Sequence, residues 1–323
     1  MNAADQAQGA FHAGERAMQA SVGLAERMAL VGAQAIRDYM PQQHRDFFPL
    51  LPFLIVGSVD ASAQPSASVL AAPAGFVSSP DERSLRIEAP IDHDDPLAAN
   101  LHLGASLGVL GLEPHTRRRN RANGRVSARD EDGFTLAVQQ SFGNCPKYIQ
   151  AREPVFAPQG AVAGGVRISA GLDEQARALI GRADTFFIAS AHTRSASDDA
   201  ARAQGVDVSH RGGKPGFVRV EGNTLTVPDF RGNFFFNTLG NLLEHPQAGL
   251  LFIDFATGDL LQLAAAAEII TEGAELAGFV GAERLLRLRV GEARFRPAAL
   301  PLRWGEAEIS PVLAGVGAWP QST

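Results

Sequence analysis

Gly75-Phe76-Val77 and Gly216-Phe217-Val218 are one tripeptide written twice, 216−75 = 141 residues apart. The same interval carries Asn100-Leu101 onto Asn241-Leu242 (241−100 = 141), and Gly108 with Leu110 onto Gly249 with Leu251 (249−108 = 141). Upstream, Phe53-Leu54-Ile55 answers to Phe186-Phe187-Ile188 at 186−53 = 133, which gives the second copy 141−133 = 8 extra residues in an early loop. Self-similarity at a fixed spacing marks two related structural units. A chain that carries both can build a two-fold-like interface within itself, and ligand chemistry belongs where the units meet.

The composition agrees with two ordinary folded units. The chain has 323 residues, 45% of them hydrophobic and 20% charged, enough for two domains with their own cores. Its 33 glycines and 19 prolines point to short strands and many turns. A net charge of −6 argues against a nucleic-acid or anionic-membrane partner. The single cysteine, Cys145, has no internal disulfide partner and suits a reducing compartment. No basic-then-apolar leader and no run of about 18 apolar residues is visible, so the expectation is a soluble cytoplasmic protein.

Along the chain, Met18, Val22, Ala25, Met28, Ala29 and Ile36 recur at near-helical spacing, which predicts a helix over 13–40. Pro41 suits the start of a short helix over 44–51. Short apolar runs divided by turns then predict strands at 53–59, 66–71, 85–89 and 107–112, around residue 126 and at 133–139, with a short helix at 96–103. The second unit repeats the order, with strands at 186–189, 205–210, 216–220, 225–227, 249–255 and 260–270. A polar loop falls at 195–204, and a helix at 237–244 is stopped by His245-Pro246. The division is a helical lead-in over 1–52, a first unit over 53–150, a linker over 151–181, a second unit over 182–291 and a tail over 292–323. The fold class is mainly β with short helices, as two small β-barrels and not βαβ layers.

The densest chemistry is Asp207-Val208-Ser209-His210-Arg211-Gly212-Gly213-Lys214-Pro215-Gly216-Phe217. Glycines there let backbone amides approach a ligand, while Arg211 and Lys214 offer a fork and a point charge to phosphate oxygens. The equivalent first-copy run has Val69, Leu70 and Pro73 in place of His210, Arg211 and Lys214. One half of a duplicated site keeps its polar equipment; a solvated hairpin is the competing reading. Pro228-Asp229-Phe230-Arg231-Gly232-Asn233 leads to Asn237-Thr238 at a helix start, a place for phosphate or for plain capping. Read as a strand-turn-strand, the arginine run puts Arg117, Arg119 and Arg121 on one face, to hold an anion or to stand hydrated. Gln140–Ile149 adds Asn144, Cys145, Lys147 and Tyr148; with no His or carboxylate beside it, Cys145 reads as a small buried apolar residue. No metal-ligand spacing is present.

Ser209–Val218, Pro228–Asn233, 237–254 and Asn144–Gln150 together resemble the pyridoxamine 5′-phosphate oxidase-like, FMN-binding split-barrel family, over about 41–151 and 182–271. The resemblance implies two tandem split barrels forming an intrachain pseudo-dimer that holds FMN at the seam. It places Ser209, Arg211 and Lys214 near the flavin phosphate with Asn237 and Thr238, and the backbone of Pro215, Gly216, Phe217 and Val218 along the ring edge, with His210 also among the cofactor-binding residues. Asp229 and Asn233 belong to the same side. Arg117, Arg119, Arg121, Asn144 and Lys147 come from the other barrel. His210 and Tyr148 are the candidate proton donors. The implied activity is a flavin-dependent oxidoreductase acting on a small-molecule substrate or electron donor, with further homodimerisation open. A non-catalytic flavin or nucleotide carrier or sensor, or a deazaflavin or haem binder, is the alternative.

Overall fold

Burial on both faces of one strand sets the architecture. In β1 (Phe53–Val59), Leu54 and Val56 enter one core while Phe53 and Ile55 enter a second, as the two-residue alternation of a strand requires. The structure, a computed structural model, describes residues 9–157, 165–192 and 205–319. β1 is followed by β2 (Pro65–Ala71), β3 (Val77–Asp81), β4 (Ser84–Ile87), β5 (Ser106–Glu113), β6 (Arg118–Arg129) and β7 (Phe134–Gly143). They form an antiparallel sheet in the order β2-β1-β5-β6-β7-β4-β3.

Two short strands, β8 (Pro154–Phe156) and β9 (Arg167–Ser169), lie inside the expected linker. Then come β10 (Thr185–His192), β11 (Gly205–Gly212), β12 (Arg219–Glu221), β13 (Thr224–Phe230), β14 (Gln247–Ile253), β15 (Leu260–Ile270) and β16 (Ala282–Arg296). Their order, β11-β10-β14-β15-β16-β13-β12, repeats the first sheet strand for strand, with β9 added beside β16. β17 (Leu302–Trp304) pairs with β8. Neither hydrogen-bonded path closes on itself, so the sheets are antiparallel and open. No helix among the described residues is long and apolar enough to cross a membrane.

The seam between the units has its own core. Phe53, Ile55, Leu110 and Leu112 from the first sheet meet Phe187, Ala189, Leu251 and Ile253 from the second. The repeated glycines explain how closely the sheets approach. A Cβ on Gly108 would strike the Val206 carbonyl oxygen, and one on Gly249 would strike that of Pro65. Since 206−65 = 141, the two contacts are copies of each other.

Strand pairing corrects the sequence alignment at one place. Gly57 pairs with Ala67 and Gly108, and Ala189 pairs with Val208 and Gly249. Both later intervals are 141, yet 189−57 = 132, so the second copy carries nine extra residues and Ser58 answers to Ser190. A strand apolar on both faces offers no polar alternation to fix its register, and matching phenylalanines slid the alignment by one. The nine residues fall between Ser190 and Asp207, and the expected loop 195–204 lies outside the described residues.

Among the described residues, the α-helices are α1 (Ala13–Ser21), α2 (Ala25–Ala35), α3 (Gln42–Arg45), α4 (Pro96–Asn100), α5 (Glu174–Arg182), α6 (Asn237–Glu244) and α7 (Ala274–Ala277). The single helix expected over 13–40 is two, divided where Gly23 takes φ 71°. The helix expected over 44–51 is α3 followed by a 3-10 turn, Phe48–Leu50. β6 runs unbroken from Arg118, whereas a strand-turn-strand was expected. Arg117 lies before it, at φ 56°.

Candidate functional site

A half-open cleft of about 120 Å³ lies at the seam. β6 supplies Arg119 and Arg121, β11 supplies Ser209, His210 and Arg211, and the segment after β7 supplies Asn144, Cys145, Lys147 and Tyr148. Phe217, Asp229, Phe230, Asn233, Phe234, Phe236, Asn237, Thr238 and Arg284 complete most of the wall. Tyr148, Phe234 and Phe236 hold left-handed backbone at φ 66°, 63° and 61°. Each such non-glycine residue costs on the order of 1–3 kcal/mol, and residues of this kind gather at functional sites.

Most of the cations here are already matched. Arg121 is 2% exposed. Its Nη1 donates to Asp207 Oδ1 at 2.9 Å and Asn237 Oδ1 at 3.0 Å, and its Nη2 to the Val208 carbonyl at 3.0 Å and Ser209 Oγ at 2.7 Å. Asp207 also accepts from Asn123 at 2.7 Å and Asn241 at 3.1 Å. Arg211 pairs with Asp229, whose other oxygen takes Arg284 Nε at 3.0 Å. Lys214 is not in the cleft; its Nζ donates to the Val316 carbonyl at 2.9 Å.

Arg119 is the exception. Its Nε donates to the Cys145 carbonyl at 2.8 Å, and no carboxylate among the described residues pairs with it. Burial, then Arg121 and Arg211, lower its pKa to about 10, so it keeps its charge at neutral pH. Lys147 is likewise without an ion-pair partner among the described residues. Arg121 and Arg211 each leave a buried Nε–H without an acceptor. A half-buried guanidinium without a counter-ion, lining a cleft beside a lysine, invites an anion.

His210 is buried against Phe187, their ring centroids 5.7 Å apart. Burial first, then Arg119, Arg152 and Arg211, hold its pKa well below the ordinary value, so the ring is neutral. Tyr148 donates to the Arg231 carbonyl at 3.2 Å, and burial raises its pKa; it stays a phenol. Among the described residues, neither group hydrogen-bonds to a carboxylate as an acid–base pair would.

The cleft therefore gathers Ser209, His210, Arg211, Phe217, Asp229, Asn233, Asn237, Thr238, Arg119, Arg121, Asn144, Lys147 and Tyr148 from the sequence-predicted set. It leaves out Lys214, Pro215, Gly216, Val218 and Arg117. Arg117 turns away to the Ile149 carbonyl and Glu308 because its left-handed backbone breaks the strand face shared by Arg119 and Arg121. Val218 is packed into the second unit's core. Cys145 lines the cleft half-buried and is not a fully buried apolar residue. Sequence reasoning missed Phe234, Phe236 and Arg284; the three consecutive phenylalanines after Asn233 were the available signal.

The mirrored half is closed from within. Gln262 stands where Arg121 does (262−121 = 141), donating to the Ala67 carbonyl at 2.9 Å as Arg121 donates to that of Val208. Phe295 pairs with Leu261 as Gly143 pairs with Asn120, so Arg296 answers to Asn144. Arg296 reaches Asp95 at 2.7 Å and also pairs with Asp92. Val69 and Ala71 pack apolar atoms there. One polar cleft and one self-filled counterpart remain.

FMN as the resemblance placed it does not fit these residues. Ser209 and Asn237 hold Arg121, Arg211 holds Asp229, and Lys214 holds the tail. A cavity of about 150 Å³ takes a single benzene ring, so 120 Å³ cannot house a tricyclic ring without use of the mouth.

Compared with known proteins, the chain matches no family model and no curated protein. Among solved structures, HupZ of Group A Streptococcus is 14% identical, covering 37% of this chain and 89% of that one at a TM-score of 0.28. A pyridoxamine 5′-phosphate oxidase candidate from Lactobacillus delbrueckii is 15% identical, covering 39% and 94% at 0.30. K. pneumonia MrkH in complex with c-di-GMP is 9% identical, covering 80% and 87% at 0.24. Likenesses this slight carry no argument, and the cleft itself has to supply one.

Proposed function

We propose that the seam cleft binds one small, planar, anionic molecule per chain, its anion on Arg119 and Lys147 and its ring among Tyr148, Phe230, Phe234 and Phe236. The observation that carries this reading is Arg119, a half-buried guanidinium that no carboxylate among the described residues pairs with, in a cleft whose other arginines are ion-paired. Flavin mononucleotide is the first candidate on the resemblance of Ser209–Val218 and Pro228–Asn233, with its phosphate moved from the α6 end to Arg119 and its ring partly in the mouth. The two units would then form the halves of an intrachain split-barrel pair, which the matching strand orders support.

Bound flavin would supply redox chemistry, making the chain an oxidoreductase of unassigned substrate. A carrier or sensor role is favoured by a specific observation: His210 is neutral, and among the described residues no hydrogen-bonded acid–base pair lines the cleft. Titration with FMN, followed by addition of reduced nicotinamide, tests both. Saturable binding with bleaching near 450 nm supports the oxidoreductase, binding without bleaching by any donor supports the carrier, and no saturable binding of any aromatic anion removes the reading.

A further inference from the structure

Two glycines let α1 and α6 touch backbone to backbone. A Cβ on Gly240 would sit 2.5 Å from the Glu15 nitrogen, and one on Gly14 would run into the Gly240 carbonyl oxygen. Three polar links surround the crossing. Gln19 Nε2 donates to the Phe235 carbonyl at 3.3 Å, His12 Nε2 lies 2.9 Å from Asn241 Oδ1, and Asn237 Nδ2 donates to Glu15 Oε1. Glu15 is 2% exposed and takes a second hydrogen bond from the His12 N–H at 2.9 Å. Such an arrangement is more than a lead-in resting on a surface. α1 belongs to neither repeat, yet it holds Asn237, and Asn237 holds Arg121.

Arg121 is the reason the α6 end of the cleft is closed. Its guanidinium fills the space between Ser209, Asn237 and the Val208 carbonyl, with Asp207 as counter-ion. Thr238 Oγ1 donates to Ser209 Oγ at 3.1 Å, which occupies that hydroxyl as well. An anion aimed at Ser209 and Asn237 therefore meets a charge-balanced network in which both side chains are already engaged. The counterpart residue in the second unit, Gln262, makes the equivalent carbonyl contact with no charge at all.

We propose that Glu15 is a positioning residue of the cleft: through Asn237 it fixes the Arg121 guanidinium over Ser209, shuts the α6 end to anions and leaves Arg119 as the anion's partner. This rests on the cleft being the ligand site. The N-terminal helix is then part of that site, and it sets which end of the ligand carries the charge.

The test compares FMN with riboflavin, which differ in the phosphate alone, by flavin fluorescence in wild type, Glu15→Ala and Glu15→Gln. With Asn237 loosened, Arg121 keeps Asp207, Ser209 and the Val208 carbonyl but can turn an N–H toward the phosphate, so Glu15→Ala raises the preference for FMN over riboflavin by about fivefold or more. Glu15→Gln keeps an oxygen for Asn237 and holds the preference within about twofold of wild type. Where Glu15→Ala does not fold, Asn237→Ala cuts the same relay and carries the same expectation. Parallel changes for both flavins, or no change, overturn the positioning role and leave the ligand site standing. If wild type binds neither flavin, the flavin assignment fails, and the positioning role is decided on ligand-free protein by NMR of the Arg121 side-chain N–H groups. Slow exchange in wild type and Glu15→Gln with fast exchange in Glu15→Ala supports it; equal exchange in all three overturns it.

Discussion

Replacing Asp207 with alanine strands the best-buried cation of the cleft. Arg121 loses its carboxylate, and Asn123 and Asn241 lose an acceptor each. Removing one partner of a buried ion pair costs about 3–5 kcal/mol, and an unmade buried hydrogen bond costs about 1–3 kcal/mol more. The three losses share one carboxylate and do not add in full, so the expected cost is about 5 kcal/mol. That is a large share of the roughly 5–15 kcal/mol that holds a domain folded. Urea unfolding followed by circular dichroism measures it, provided the slope of the transition is unchanged. Arg121→Met removes the stranded charge, so the double variant should recover about 2 kcal/mol or more relative to the sum of the single changes. A cost under about 1 kcal/mol for Asp207→Ala, or strict additivity in the cycle, would refute the network as the clasp between the units.

Three further outcomes follow from the geometry. Gly249→Val puts a side chain where the Pro65 carbonyl and Ser66 Cα lie, so the seam should open; overpacking of this kind costs about 1–3 kcal/mol or more, read as a lower thermal midpoint together with lost ligand binding. Asp95→Ala removes one of the two carboxylates on Arg296 and leaves Asp92, so it should cost about 1–3 kcal/mol, while ligand affinity per folded chain stays at the wild-type value. Burial, then Arg37 and Arg118, lower the His44 pKa from 6.5 to about 4, so its neutral form stabilises the fold above pH 6.5 and that stability is lost as pH falls toward 4. The slope is about 1.4 kcal/mol per pH unit; a pH series comparing wild type with His44→Gln should show the gap between them shrinking over that window, and a constant gap would contradict it.

The repeat was legible because glycines and aromatics kept their places. Gly108 and Gly249 recur where each unit's backbone meets the other, so a 141-residue interval already located the seam. α6 and β15 match the expected 237–244 and 260–270, each bounded by a clear stop or a long apolar run. The charge pattern also led to the cleft, through Arg119, Arg121 and Arg211.

Pairing between charges was not legible, and it changes the chemistry. Lys214 and Arg211 look free in the sequence, but Val316 and Asp229 are brought to them from 102 and 18 residues away. β3 was missed because Val77–Asp81 has one buried residue and pairs only along one edge. The tail gave no reading because its structure is borrowed: Leu313 packs with Phe230 and Phe279, and Trp319 donates to the Phe217 carbonyl at 2.8 Å. Glu15 was invisible as a site residue because its role exists only where α1 crosses α6.

The most direct measurement is calorimetric titration of FMN into wild-type protein and Arg119→Met, giving stoichiometry and affinity together. The cleft's charge balance predicts one site per chain, with a loss in Arg119→Met of about 10- to 100-fold, the worth of a charge-assisted hydrogen bond of about 1.5–3 kcal/mol. Equal affinity in the two proteins, or two equivalent sites per chain, would contradict an anion held by Arg119 in the single open half.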